Sequence, residues 1–219
     1  MAWGRWPARM LAVAVAIIFP TIPAHSSAAE PKKPAASRGV LPMDRSEFWA
    51  IIGRTTSLEA RSDEQAAALR SELDRLSPDQ IAAFEATFDD LMRQSYSWSL
   101  WGADFVIHGG ASDDSFEYFR VWLISKGKGV FEAVSKDPDS LADLLASDSV
   151  GPLEFEDFAY VARDAWEAKT GKDSSEMPQF ADMIYPGVEP SGEPFKEDEE
   201  YLAKRYPRLW KRFGHNPAQ

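Results

Sequence analysis

The sequence predicts an all-α fold, a compact multi-helix single domain. No window alternates apolar and polar residues as strands do, whereas apolar residues recur at spacings of three and four through most of the chain. Capping residues open these windows, and no internal repeat is found. A signal peptide and a flexible tether precede the domain, and an extended Pro-rich strap lies near its C-terminal end.

The domain starts near Met43. Asp44 with Glu47 resembles a capping box, and Phe48, Ile51 and Ile52 form the stripe of a short first helix ending around Gly53. Ser62 with Gln65 repeats that start signal, and Ala66, Leu69, Leu73 and Leu76 follow on one face, opposite Glu64, Arg70, Glu72 and Arg75. Ser77, Pro78 and Gln80 supply a cap, a first-turn proline and a third-position acceptor for a helix carrying Ile81, Phe84, Phe88, Leu91 and Met92. This helix runs on, or bends, into Trp98–Ile107, which is too apolar to keep a wet face.

Gly109 and Gly110 break the chain, and a new helix opens at Ser112 or at Asp114, ending between Gly127 and Gly129. Val130, Phe131 and Val134 begin a short helix stopped at Asp137-Pro138, and Ser140 to Leu145 adds a turn or two. Phe155, Phe158, Ala162, Ala165 and Trp166 mark an amphipathic helix ending at Gly171. Asp173 to Glu193 is interrupted by prolines and glycines and reads as the surface strap, and Tyr201, Leu202, Leu209, Trp210 and Phe213 make a last helix or two. A small hairpin is the alternative to a purely helical domain.

Arg5 and Arg9 precede an apolar run from Met10 to Phe19, followed by prolines and small residues, the pattern of a secretory signal over residues 1–26. The run is about half the ~20 residues a membrane span requires, so cleavage is expected rather than a stable span. Residues 27–42 lack periodicity and form the tether, leaving 43–213 as the folded domain. Periplasmic or secreted localisation follows. The 219 residues include no cysteine, so the exported protein relies on its core rather than on disulfides. The net charge of −11 repels phosphate backbones, so nucleic acid is not an expected partner. A protein or a small molecule remains.

The segment Gly109–Ile124 is densest in both turn and core chemistry. On a helical wheel Phe116, Phe119, Arg120 and Leu123 share an arc, so Arg120 leaves from the core-facing stripe and its guanidinium needs acceptors. Asp113 and Glu117 lie along the same flank. In one reading Ser112, Asp113 and Asp114 cap the helix and a carboxylate or carbonyls clamp Arg120. In the other, Asp113, Asp114 and Glu117 beside His108 bind a divalent ion or form an acid–base pair, although adjacent aspartates diverge by about 100° on a helix. Trp101, with Trp98, Trp122 and Trp166, either fills the core or offers a stacking surface. The candidate cluster is therefore Trp101, His108, Ser112, Asp113, Asp114, Glu117 and Arg120. No nucleophile elbow, phosphate loop or zinc spacing appears, and no cofactor or resident metal is implied.

The blocks Trp98-x-x-Trp101-Gly102-Ala103 and Gly109-Gly110-x-Ser112-Asp113-Asp114-x-Phe116-x-x-Phe119-Arg120-x-Trp122-Leu123-Ile124 resemble the bacterial domain-of-unknown-function 4240 family. Met43–Ile52 and Tyr206-Pro207-Arg208-Leu209-Trp210 extend the likeness over roughly residues 43 to 213, with His108 and Ser115 departing from its pattern. The resemblance implies a compact helical domain and supplies no activity, ligand or catalytic residue. The leader, the acidity and the incomplete catalytic sets point to a noncatalytic exported binding or interaction domain. The alternatives are a hydrolase using Asp113, Asp114 or Glu117, possibly metal-assisted, and an acidic immunity-type protein that neutralises a basic partner.

Overall fold

The computed structural model describes residues 40–56, 62–145, 153–179 and 189–218. The expected signal peptide, most of the tether and the middle of the strap lie outside these. The described residues form ten α-helices and two 3₁₀ turns without a strand, as the periodicity predicts. None of the helices is long and apolar enough to cross a membrane.

Helix α1 (Arg45–Thr55) is capped by Asp44, whose carboxylate accepts the Ser46 and Glu47 amides. It runs past the expected stop at Gly53, and the Thr56 hydroxyl at its end lies 3.0 Å from both Ile52 O and Ser125 O. In α2 (Ser62–Leu73), Gln65 is fully buried, and its Nε2 donates to Ser125 O at 2.7 Å. The residue expected to help start a helix instead ties α2 to the end of a distant one.

Helix α3 (Pro78–Gln94) has the Ser77–Gln80 capping box in full. It does not continue into the tryptophan-rich segment. Ser95 closes it, and Ser97 caps a separate helix, α4 (Trp98–His108). Gly109, at φ 70°, turns the chain out of α4 where a side chain would be strained. Of the two expected starts for α5 (Asp113–Ser125), Ser112 is the cap, with Ser115 rather than Glu117 completing the box. Then come α6 (Lys128–Lys136), the turn Pro138–Ser140, α7 (Leu141–Leu144), α8 (Glu156–Thr170) ending on left-handed Gly171, the turn Ser174–Glu176, α9 (Glu199–Arg205) and α10 (Pro207–Phe213).

Helix α8 is the hub: α2, α3 and α5 all pack against it, while α1 covers α2 and α3. Phe48 stacks on Phe84 at 4.6 Å, and Phe88 meets Phe158 at 6.4 Å. Each such ring, taken from water, contributes about 1.5–3 kcal/mol. The described ends of the strap are not purely surface: Met177 and Pro190 are buried, and Ser191 pairs with Ser97 in a single bridge, its amide donating to Tyr96 O at 2.9 Å.

At the other end of the domain α10 packs on α4. The Tyr206 hydroxyl donates to Ser99 O at 2.9 Å and lies where a side chain on Gly102 would be. Asp139, 6% exposed, accepts the Arg208 and Leu209 amides at the start of α10 and the Arg208 Nε at 2.9 Å. Arg208 also donates to Asp137 and Asp143, both at 2.5 Å. One arginine thus gathers three carboxylates and pins α10 to the turn before α7.

Candidate functional site

A cleft of about 720 Å³ opens between α3, α5 and α8, with Gln179 of the strap at its edge. From α3 come Glu85, Phe88, Asp89, Met92 and, just beyond its end, Tyr96; from α5 come Asp113, Glu117, Arg120 and Val121; from α8 come Ala159, Tyr160 and Arg163. A smaller hollow of about 240 Å³ beneath Ser174–Gln179 shares Glu85, Asp89, Arg163 and Gln179 with it. The positions are helical repeats: Glu85 and Asp89 are four apart, as are Asp113 and Glu117, so each pair projects from one face.

Burial governs the electrostatics. Glu85 is 7% exposed, and Arg163 donates its Nε to Oε1 at 2.6 Å. Loss of water pushes the Glu85 carboxyl up, and the guanidinium only partly opposes this. Burial, reinforced by the neighbouring Glu85 charge and opposed by Arg163, pushes Asp89 up to about 7. Asp89 therefore changes charge near neutral pH.

Arg120 is buried on the core side of the same cleft, as the helical wheel requires. Its Nη1 donates to Met92 O at 2.8 Å and its Nε to Phe116 O at 3.4 Å, while the guanidinium carbon sits 4.9 Å from the ring centres of both Tyr96 and Phe116. Arg120 is clamped by carbonyls and rings, and Asp113 and Glu117, exposed on the same helix, face the cleft.

The other candidates go elsewhere. Ser112 is spent on capping. Asp114 is outside the cleft lining and adds its charge near Tyr118, whose hydroxyl is pushed up to about 12 chiefly by its hydrogen bond with Glu156. Trp101 stacks between Trp98 at 5.2 Å and Phe116 at 4.9 Å, and its indole donates to Ala111 O, so it builds the core.

His108 faces Asp104, not the aspartates of α5. Its Nε2 accepts the Leu153 amide at 3.2 Å, so Nδ1 carries the proton given to Asp104 Oδ1 at 2.7 Å. Both ring nitrogens are used, and the ring latches α4 to the segment entering α8. Asp104 is fully buried, and that burial pushes its carboxyl up to about 6 against the opposing bond from His108. Among the described residues no group of three or more His, Asp or Glu side chains converges as a metal site would.

Sequence reasoning missed Glu85, Asp89, Tyr160 and Arg163. Their signal was faint but present: Glu85 sits between Phe84 and the apolar positions of α3 that face the core, where a carboxylate needs a partner. That the partner would come from α8, 78 residues away, was not visible locally.

Residues 43–168 match the family model described as "Protein of unknown function (DUF4240)". The chain belongs to the DUF4240 family. All three helices that build the cleft fall within the matched residues almost to the end of α8, whereas α9 and α10, with Tyr206 and Arg208, lie beyond them. No curated protein and no solved structure matches the chain. The DUF4240 domain thus carries the cleft, and the C-terminal helices brace it from outside the matched region.

Proposed function

We propose that this DUF4240 protein is a noncatalytic binding domain, acting outside the cytoplasm, whose cleft receives a cationic group of its partner. What carries the reading is the composition of one cavity. Asp113 and Glu117, exposed on α5, line it beside Glu85, Asp89, Phe88, Tyr96 and Tyr160, and Arg163 is bonded to Glu85. Carboxylates beside aromatic faces attract ammonium and guanidinium groups through charge-assisted hydrogen bonds and the ring quadrupole. The negative balance of the whole chain adds long-range steering of a basic partner, a toxin of the kind immunity proteins neutralise included. Export rests on the leader pattern of residues 1–26, and N-terminal sequencing of the protein from culture fractions tests it.

Calorimetric titration with a lysine-rich peptide and, separately, with spermidine tests the cleft. Binding of the peptide alone identifies a protein partner, and binding of both identifies the bare cation as the ligand. The combined change Asp113→Asn and Glu117→Gln weakens either by about tenfold. No heat with either probe at low salt defeats the proposal.

One observation favours the hydrolase as a second reading: Asp89, which titrates near neutrality, shares the cleft with Asp113 and Glu117, an arrangement suited to an acid and a base. It requires turnover that disappears in Asp113→Asn with an unchanged melting temperature.

A further inference from the structure

The cleft and the smaller hollow meet at one wall. Glu85, Asp89, Arg163 and Gln179 line both, so two carboxylates of α3 and one guanidinium of α8 stand between a cavity of about 720 Å³ and another of about 240 Å³. Glu85 is buried and Asp89 half-buried, one helical turn apart. Arg163 serves them together, with its Nε bonded to Glu85 Oε1 at 2.6 Å and its charge acting on Asp89 as well. With both acids ionised, these groups carry one net negative charge in a place that has lost much of its water. Such a charge is costly, and either a proton or a second cation removes it.

The surroundings lean toward a cation. On the cleft side α8 adds Tyr160, and α5 adds Asp113, Glu117 and Arg120, the last turned to Met92 O and the rings of Tyr96 and Phe116. On the hollow side Ser174, Ser175, Met177, Pro178 and Gln179 cover the wall with side chains that do not ionise.

We propose that a cation entering the cleft takes the place of a proton on the Glu85–Asp89 pair, so that binding releases this proton to solvent and strengthens as pH rises. This rests on the cleft being a cation site and names what its ligand must displace. The exchange keeps the wall neutral: before it, Arg163 balances one carboxylate and the proton masks the other, and after it the ligand's charge stands in for the proton. Burial and the Glu85 charge hold the proton on Asp89 up to about pH 7, against Arg163. Below that pH the ligand has to displace it, and above it the carboxylate is already ionised. The apparent dissociation constant should therefore be about tenfold weaker at pH 6 than at pH 8.

Calorimetric titration with an end-blocked tri-arginine peptide at low salt reads this directly, because guanidinium groups keep their charge and any proton released comes from the protein. Two buffers of unlike ionisation enthalpy, used at pH 6 and again at pH 8, count the protons. The expected release is about one proton at pH 6 and about a tenth of one at pH 8, and Asp89→Asn should release none and bind alike at both. The same heat in both buffers at pH 6, or an unchanged release from Asp89→Asn, overturns the proposal and leaves the cleft a cation site. Absence of binding at either pH removes the cation site and the exchange with it. The buffer comparison on the unaltered chain decides the matter even if the variant fails to fold.

Discussion

Two regions of this domain bring several carboxylates to an arginine, and they end up as opposites. At the α10 clamp, Arg208 takes Asp137, Asp139 and Asp143, and Asp139 also accepts two backbone amides, so the donors of one side chain and one helix end are used together. At the α3–α5–α8 cleft, Arg163 takes Glu85 with Asp89 beside that pair, Arg120 bonds a carbonyl and meets two rings, and Asp113 and Glu117 line the cavity from the exposed side of α5. The clamp closes on itself. The cleft carries more acid than its arginines neutralise, and burial makes part of that acid titrate near pH 7. The same residue types give a fastener in one place and a receptive surface in the other, and the difference is how completely each charge is answered from within the fold.

Breaking the clamp should produce the largest effect. Asp139→Ala removes the cap of α10 and the 2.9 Å partner of Arg208, and a loss of about 3 kcal/mol in chemical denaturation is expected. Arg120→Ala should cost a similar or slightly smaller amount, roughly 2–3 kcal/mol, because the guanidinium fills space between Tyr96 and Phe116 besides bonding Met92 O. If that change left the melting temperature untouched, Arg120 would belong to the cleft's ligand rather than to the core. Gly102→Ala, which drives a methyl against the Tyr206 hydroxyl and to 3.0 Å from Phe195 Cγ, should cost about 1–3 kcal/mol by the same assay.

The cleft responds to pH instead. Asp89 in the fold is raised from 3.8 to about 7, so its contribution is fully present below the unfolded value and is lost as pH climbs through the folded one. Between about pH 4 and 7 stability should therefore fall from this group, and Asp104, raised to about 6, adds to the same trend. Asp89→Asn should flatten the profile and stabilise the protein near pH 7.5 by about 1–2 kcal/mol, allowing for the partial exposure of the side chain. A steeper profile in that variant would place the buried charge elsewhere. The smallest expected change is in Asp113→Asn with Glu117→Gln, exposed positions whose loss should move stability by no more than about 0.5 kcal/mol while cation binding drops.

How legible this was differs by region. The Ser77–Gln80 box, the Gly171 stop and the stripe of α8 were readable because capping and periodicity act within a turn or two. The break between α3 and α4 was not, because Ser95 and Ser97 stop and restart the helix inside a continuous apolar pattern while Ser191, almost a hundred residues on, pairs with the joint. Arg120 was placed in the core from its position on the wheel, but its acceptor belongs to α3 and could not be named. Chain order sets His108 next to the aspartates that follow it, whereas helical geometry carries its ring back to Asp104, one turn earlier.

By itself the sequence determined an acidic, cysteine-free helical domain with a buried arginine, because composition, capping and a 3.6-residue period are properties of neighbouring residues. Only the tertiary structure decided that Glu85, Asp89 and Arg163 share one cavity with Asp113 and Glu117, and that Arg208 gathers Asp137, Asp139 and Asp143 at the start of α10. Those outcomes depend on how much water each carboxylate loses when distant helices meet, and that quantity exists only once the chain has packed.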